Sequence, residues 1–113
     1  DYCTNLTSIN LPESLTSIDV GAFRGCSNLT SITLPEGFTS IGQSAFRGCS
    51  SLTSITIPES VTSIGQSAFE NCTSLKTINF KGTDDQWNII TKGSWWKFNC
   101  PSDMVINFDY QGE

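Results

Sequence analysis

The stretch CSNLTSITLPEGFTSIGQSAFRG, residues 26–48, decides the fold because nearly the same 23-residue sequence stands before and after it. The cysteines show the period most clearly, because four of them recur at this constant interval: Cys3, Cys26, Cys49 and Cys72. Apolar columns keep the same spacing: Leu6, Leu29, Leu52 and Leu75; Ile9, Ile32, Ile55 and Ile78; Phe23, Phe46 and Phe69. Fixed self-similarity of this length predicts a solenoid, in which each unit buries its apolar side against its neighbours.

Each copy contains two short extended segments separated by turns. Residues 29–34 end in an alternation of apolar and hydroxyl side chains with β-branched types, which predicts a strand. Pro35-Glu36 follows as a turn, because proline cannot donate to a strand ladder. Residues 38–41 form a second extended segment, and Gly42 is expected to permit the next backbone turn.

The repeated pattern resembles a known family. It reads C-x-x-L-x-x-I-x-L-P-x-x-(L/F/V)-x-x-I-(G/D)-x-x-A-F in three copies from Cys3 to Phe69. This pattern is similar to the leucine-rich repeat of the BspA-like type, found in many bacterial surface proteins and some protozoan ones. The expected fold is an α/β or mainly β solenoid, a right-handed leucine-rich-repeat superhelix with 23-residue repeats, a parallel front sheet and a C-terminal helix-plus-strand cap. A parallel β-helix is the alternative, disfavoured because its coils usually lack one Phe-bearing turn per circuit.

The repeat pattern breaks after Phe80, which predicts two parts. Residues 1–81 form the leucine-rich repeats, about three and a half copies with the first one truncated, and residues 82–113 form a C-terminal capping segment. Residues 83–86, Thr-Asp-Asp-Gln, have the composition of a capping box and predict a helix over 84–92. Alternation over 104–110 predicts a final strand. All three tryptophans lie in this segment, and we expect its aromatics to cover the open end of the solenoid.

The first residues favour a chain that begins inside a repeat. Asp1 and Tyr2 occupy the positions of Arg24 and Gly25 in the next copy. We therefore expect a further N-terminal part, with an export signal, in the natural protein. We also expect the uncapped N-terminal coil to self-associate through its exposed apolar side chains.

Charge and hydropathy exclude several kinds of partner. The chain has 11 acidic and 6 basic residues, and an acidic surface repels the phosphates of nucleic acid and anionic membranes. No apolar run long enough to span a bilayer occurs, so no membrane insertion is expected. We predict an extracellular or cell-surface location from the family resemblance.

Residues capable of catalysis are sparse. The chain has no histidine, which excludes Ser-His and Cys-His nucleophilic pairs, and it has no glycine-rich phosphate loop. We predict no enzyme activity, no catalytic residues, no cofactor and no metal. The carboxylate row Glu13, Glu36 and Glu59 is interpreted as solvated turns, because nothing supplies the oxygen cage that calcium requires.

The cysteine column is interpreted as small buried thiols that pack like hydrophobic side chains. One thiol per coil does not give the local cluster that a metal site needs. Disulfides between adjacent coils are within reach on distance alone, but inward-pointing side chains make them the less favoured alternative. Cys100 is placed outside the column and is expected to be the thiol most open to oxidation.

The outward residues of the front sheet form the candidate binding face. They are small, uncharged and mostly hydroxyl-bearing: Ser8, Asn10, Ser31, Thr33, Ser54, Thr56, Thr77 and Asn79. A regular rigid face of this kind favours binding of protein partners. The leading hypothesis is a non-enzymatic module of a secreted or surface-anchored bacterial protein that recognises host or bacterial surface proteins. The alternatives are an architectural stalk without a ligand and an array of hydroxyl groups that matches an ice or crystal lattice.

Overall fold

The computed structural model describes residues 7–9 and 11–110, so Cys3, Leu6 and Asn10 of the predicted columns lie outside it. Its elements are short strands that alternate between two sheets, with one helix near the end. In chain order they are β1 (Ser8–Ile9), β2 (Ser17–Ile18), β3 (Ser31–Thr33), β4 (Ser40–Ile41), β5 (Ser54–Ile57), β6 (Ser63–Ile64), β7 (Thr77–Phe80), α1 (Asp84–Ile89), β8 (Thr91–Lys92) and β9 (Val105–Asn107).

Both sheets are parallel, and each circuit of the chain adds one strand to each of them. The front sheet has the order β1-β3-β5-β7-β9, and the back sheet has the order β2-β4-β6-β8. Within the first three front pairings each residue faces its equivalent in the next repeat, so Ile32 pairs with Ile55 and Ile55 with Ile78. The predicted mainly β leucine-rich-repeat solenoid with a parallel front sheet is confirmed.

The core lies between the sheets and consists of the predicted columns. Ile32, Ile55 and Ile78 are 3%, 0% and 0% exposed, and burying such a side chain contributes about 1.5–3 kcal/mol. The rings of Phe46 and Phe69 stack with centroids 5.4 Å apart and planes 2° apart, while Phe23 stacks on Phe46 at 5.5 Å. Identical side chains in identical positions of successive circuits produce this nearly parallel stacking.

Gly42 and Gly65 permit close contact between circuits. The sequence pattern assigned them a turn, yet neither is among the described glycines with positive φ. A Cβ atom added at Gly65 would lie 2.5 Å from the backbone nitrogen of Gln43 in the preceding circuit. Backbone cannot move aside as a flexible side chain does, so only glycine fits where the circuits approach this closely.

The segment predicted as a cap also carries a further circuit of both sheets. Ile78 of β7 pairs with Ile106 of β9, and Ser63 of β6 pairs with Thr91 of β8. The interval between paired positions is therefore longer here than the regular one between Ile55 and Ile78. The added length lies between β7 and β8, where α1 replaces the Pro-Glu turn of the earlier circuits.

The capping box is confirmed, but the helix is shorter than predicted. The Thr83 hydroxyl accepts from the Gln86 N–H at 3.1 Å, and the Gln86 side chain accepts from the Thr83 N–H at 2.7 Å. The helix ends at Ile89 rather than residue 92, because Ile90 already has an extended ψ of 131° and Lys92 pairs with Ile64 in the back sheet.

Two of the three tryptophans cover the core of the last circuit. Trp87 is 5% exposed and packs edge-on against Phe80 at 5.2 Å and Trp96 at 5.8 Å, and Trp96 in turn contacts Phe69 at 6.3 Å. The Lys92 ammonium lies 4.9 Å from the Trp87 ring centroid and donates to the carbonyl oxygen of Trp87 at 2.8 Å. A cation at the C-terminal end of α1 also complements the helix dipole.

Candidate functional site

The front sheet aligns the candidate residues in two outward columns. In β3 the burial alternates, with Ser31 and Thr33 exposed on either side of buried Ile32. Register places Ser31 opposite Ser54, and Thr33 opposite Thr56. The first column contains Ser31, Ser54, Thr77 and Val105, and the second contains Thr33, Thr56, Asn79 and Asn107.

The predicted face residues differ in how much side chain they offer. Ser31 and Thr33 are exposed, whereas Ser54, Thr77 and Asn79 are half-buried. Thr56 is only 7% exposed, because it lies in the central strand with Thr33 and Asn79 on its two sides. Ser8 is aligned with Ser31 by backbone pairing, and Asn10 lies outside the described residues.

The structure adds two residues that sequence reasoning missed. Val105 continues the column of Thr77, and Asn107 continues the column of Asn79. The Asn107 side-chain amide donates to the Asn79 amide oxygen at 2.9 Å, which fixes both amide groups on the face. The signal for them was the alternation over 104–110, but the longer interval of the last circuit concealed their columns.

The face itself is uncharged, and ionic groups lie beside it. Lys76, which precedes β7, pairs with Asp103 at 3.4 Å, with both side chains more than half exposed. Exposed pairs of this kind contribute about 0–1 kcal/mol, so this pair stabilises the fold little. The described columns therefore offer hydroxyl and amide groups and one exposed apolar side chain, that of Val105.

The cysteine column differs from its prediction at both ends. Cys26 is disulfide-bonded to a partner outside the described residues, so the expectation of a free thiol is wrong there. Cys100 belongs to the column rather than lying outside it: its thiol donates to the Phe69 carbonyl at 3.2 Å, as the Cys72 thiol does to the Phe46 carbonyl at 3.1 Å. The placement of Cys100 outside the column is therefore also wrong.

The free thiols are poorly suited to nucleophilic chemistry. Burial raises the pKa of Cys49 to about 11, and burial also raises the pKa values of Cys72 and Cys100. The reactive thiolate is correspondingly scarce at neutral pH. These cysteines pack in the core as small apolar groups with one weak hydrogen bond each.

The charged rows on the turns are paired with neighbouring side chains. Lys81 binds the Glu36 carboxylate at 2.7 Å, and the Gln86 amide donates to Glu59 at 3.4 Å. Arg47 pairs with Glu70 at 3.3 Å beside a shallow groove of about 360 Å³. Across residues 7–9 and 11–110, no group of three His, Cys, Asp or Glu side chains is placed to hold a metal ion.

The helical content bears on membrane insertion. Among the described residues, no helix has the length and apolar character needed to cross a bilayer. The helix α1 spans only Asp84–Ile89 and begins with two carboxylates.

The stacked parallel strands, the turns that carry Phe23, Phe46 and Phe69, and the outward polar columns define a leucine-rich-repeat solenoid. The family model described as the BspA type leucine rich repeat region (6 copies) matches residues 1–102. The chain belongs to the BspA-type leucine-rich-repeat family, as the repeat pattern predicted. Comparison with curated proteins gives no significant match.

Two solved structures resemble the chain. A leucine rich cell surface protein from Faecalibacterium prausnitzii A2-165 superposes with a TM-score of 0.77 at 45% identity, over 79% of this chain and 24% of that one. A leucine-rich repeat protein from Bacteroides ovatus ATCC 8483 superposes with a TM-score of 0.55 at 28% identity, over 93% of this chain and 32% of that one. The chain thus spans about a quarter of the first protein and about a third of the second.

Proposed function

We propose that the chain is a non-enzymatic repeat module of a secreted or surface-anchored bacterial protein and that it binds other proteins through its front sheet. The observation that carries the proposal is the in-register pair of outward columns on four parallel strands, β3, β5, β7 and β9. Such a face is rigid before binding, so the module loses little conformational entropy when a partner docks. The expected partners are host or bacterial surface proteins.

Two further observations support this role. The Faecalibacterium prausnitzii protein that shares 45% identity with the chain is described as a cell surface protein. The chain also has no histidine to form a Ser-His or Cys-His pair, and burial raises the pKa values of Cys49 and Cys72. Family membership gives the repeat architecture, and the function rests on the face itself.

The face lacks the side chains that usually dominate tight interfaces. Tryptophan, tyrosine and arginine are absent from the described outward columns, and Thr56 is buried. We therefore expect weak binding by a single module, strengthened where several modules engage one partner. The same observation favours the alternative of an architectural stalk, which would bind no partner.

A binding screen separates the two roles. The chain is tested against immobilised host matrix proteins and bacterial surface proteins, together with a variant in which Ser31→Lys and Thr33→Lys place two charges on the exposed part of the face. A control variant, Gln43→Lys with Gln66→Lys, adds the same charge at exposed positions outside the front sheet. Loss of binding by the face variant alone supports the proposal. No binding by the unmodified chain would favour the stalk, and equal loss in both variants would remove the front sheet as the site.

A further inference from the structure

The connections that follow the back sheet are joined by a regular file of hydrogen bonds. We name these loops L1 (residues 20–25), L2 (43–48), L3 (66–71) and L4 (94–99). Each of L1, L2 and L3 donates three alternate N–H groups to carbonyls of the next loop, at 2.8–3.0 Å. The donor and acceptor pairs are Gly21 to Gln43, Phe23 to Ala45 and Gly25 to Arg47; Ser44 to Gln66, Phe46 to Ala68 and Gly48 to Glu70; Ser67 to Ser94, Phe69 to Trp96 and Asn71 to Phe98.

L4 has the same backbone shape as L3 but no described loop beyond it. Trp95 has φ 63° where Ser67 has 58°, and Asn99 has φ 65° where Asn71 has 66°. The corresponding donors of L4 are the N–H groups of Trp95, Lys97 and Asn99, and none of them bonds an acceptor among residues 7–9 and 11–110. Within that part of the chain, L4 therefore presents three aligned, unpaired donors at the edge of the solenoid.

Apolar side chains flank this edge. Trp95 is 62% exposed, although Ser44 and Ser67 at the same place in L2 and L3 are 8% and 9% exposed because the next loop covers them. Phe98 is 49% exposed at the position held by Glu70 in L3. The Trp95 and Phe98 rings contact each other edge-on at 5.0 Å, so they form one surface rather than two isolated side chains.

L1, L2 and L3 fold through turns, as in the bond from the Arg24 N–H to the Gly21 carbonyl. We propose that the open edge of L4 binds a segment of another polypeptide in this turn conformation. Its alternate carbonyl oxygens accept from Trp95, Lys97 and Asn99, as the carbonyls of each loop accept from the loop before it, and its apolar side chains pack on Trp95 and Phe98. The acceptors in the loops are the backbone carbonyls of every second residue, and a polypeptide is the partner that offers such a row. Addition of a chain to an exposed backbone edge is a common mode of peptide recognition. The site continues the interface between the loops and is separate from the front-sheet function proposed above.

The charge of Lys97 indicates which side chains the bound segment should carry. The Lys97 ammonium lies at the middle of the edge, 5.7 Å from the centroid of the Trp96 ring, and its side chain is exposed. A carboxylate on the bound segment near its central carbonyl would interact favourably with this ammonium. The preferred segment thus has apolar side chains beside Trp95 and Phe98 and one acidic residue beside Lys97.

The test uses the complete 113-residue chain and a synthetic peptide, GQSAFRGSS. The peptide reproduces residues 42–50 with Ser in place of Cys49, and in the chain this segment places its carbonyls on L1. A second peptide, GQSAERGSS, carries an acidic residue in place of Phe46, which follows the central carbonyl of Ala45 and is equivalent to Lys97. Titration is followed by backbone amide NMR. We expect saturable shifts at the amides of Trp95, Lys97 and Asn99, with tighter binding of the acidic peptide.

Variants test the side chains and the backbone separately. Trp95→Ser introduces the residue that L2 and L3 hold at the same positive φ, so it keeps the loop shape, and it should weaken peptide binding about tenfold or more. Ile89→Ser, at another side chain that is 78% exposed, is the matched control and should bind as the unmodified chain does. Lys97→Pro removes the central donor and should abolish binding.

Three outcomes would overturn the proposal. The first is the absence of amide shifts at L4 in the unmodified chain, a measurement that depends on no variant. The second is binding that survives Lys97→Pro. The third is concentration-dependent self-association that Trp95→Ser abolishes, which would make a second copy of the chain the occupant.

Discussion

Replacing Phe46 by alanine tests the column of stacked rings on which the repeat depends. Phe46 is 0% exposed and lies between Phe23 at 5.5 Å and Phe69 at 5.4 Å. Phe→Ala substitutions in cores cost about 3–5 kcal/mol from lost transfer energy and the cavity left behind. Both flanking rings belong to other circuits and are held by backbone hydrogen bonds, so the cavity cannot collapse easily. We therefore expect a loss near the upper end of that range.

The assay is urea unfolding followed by far-ultraviolet circular dichroism and by tryptophan fluorescence. The first signal reports the sheets and the second reports the last circuit, which contains Trp87 and Trp96, so coincident curves show that the circuits unfold together. A loss of about 4–5 kcal/mol is a large part of the total stability of about 5–15 kcal/mol expected for a small domain, and the midpoint should fall steeply.

Phe98→Ala is the matched control, since it makes the same chemical change at a side chain that is 49% exposed. Substitutions at such positions usually change stability by about 0.5 kcal/mol or less. A midpoint for Phe46→Ala equal to that of Phe98→Ala would refute the argument that the ring column holds adjacent circuits together.

Three further predictions concern other parts of the chain. Gly65→Ala should destabilise the chain more than Gly37→Ala, because the new Cβ would lie 2.5 Å from the Gln43 nitrogen, whereas at Gly37 nothing lies within 4 Å and only the positive φ of 87° opposes alanine; urea midpoints compare them. Thr83→Ala removes the capping box and should cost about 1 kcal/mol, with Ser102→Ala as an exposed control in the same unfolding assay. Burial raises the pKa of Cys49 to about 11, so its thiol stays protonated in the folded chain, and the resulting stability is complete below about pH 8.5 and lost as pH rises toward 11. The free energy of unfolding, measured from about pH 8 to 11, should show this decline. If the free energy of unfolding of Cys49→Ala fell equally steeply, the decline would not be caused by the Cys49 thiol.

The first three circuits could be predicted in detail because each structural requirement recurs at a fixed interval. Ile32, Ile55 and Ile78 are buried, as the 23-residue period predicted. The capping box could also be predicted, because its two hydrogen bonds join residues that are three positions apart in the sequence. Such local and periodic requirements can be recognised directly from residue types and their spacing in the sequence. The two outward columns followed from the same alternation, although the low exposure of Thr56 depends on its neighbouring strands and has no sequence signal of its own.

The fourth circuit could not be predicted in this way, because its strands occupy the same places in the two sheets but contain different residue types. Lys92 occupies the place of Ile64, and Val105 that of Thr77. Two backbone requirements and one side chain did persist at the new, longer interval: close approach at Gly93, positive φ at Asn99 and the thiol of Cys100. A search for a lengthened repeat starting from Gly65, Asn71 and Cys72 would have found the circuit.

The place of the added residues explains how one circuit can both extend the two sheets and place Trp87 and Trp96 over the core. The extra length lies in the connection from the front sheet to the back sheet, so β8 and β9 keep their registers. The helix in that connection brings Trp87 against Phe80, while Trp96 reaches Phe69, and the core is covered on the side where its columns stop. The same added length would disrupt the outward columns if it fell within β7 or β9, because a register slip by one position turns every side chain to the opposite face. The insertion therefore preserves the front face through Asn107, and L4 lies outside that face, so the two surfaces can be tested independently.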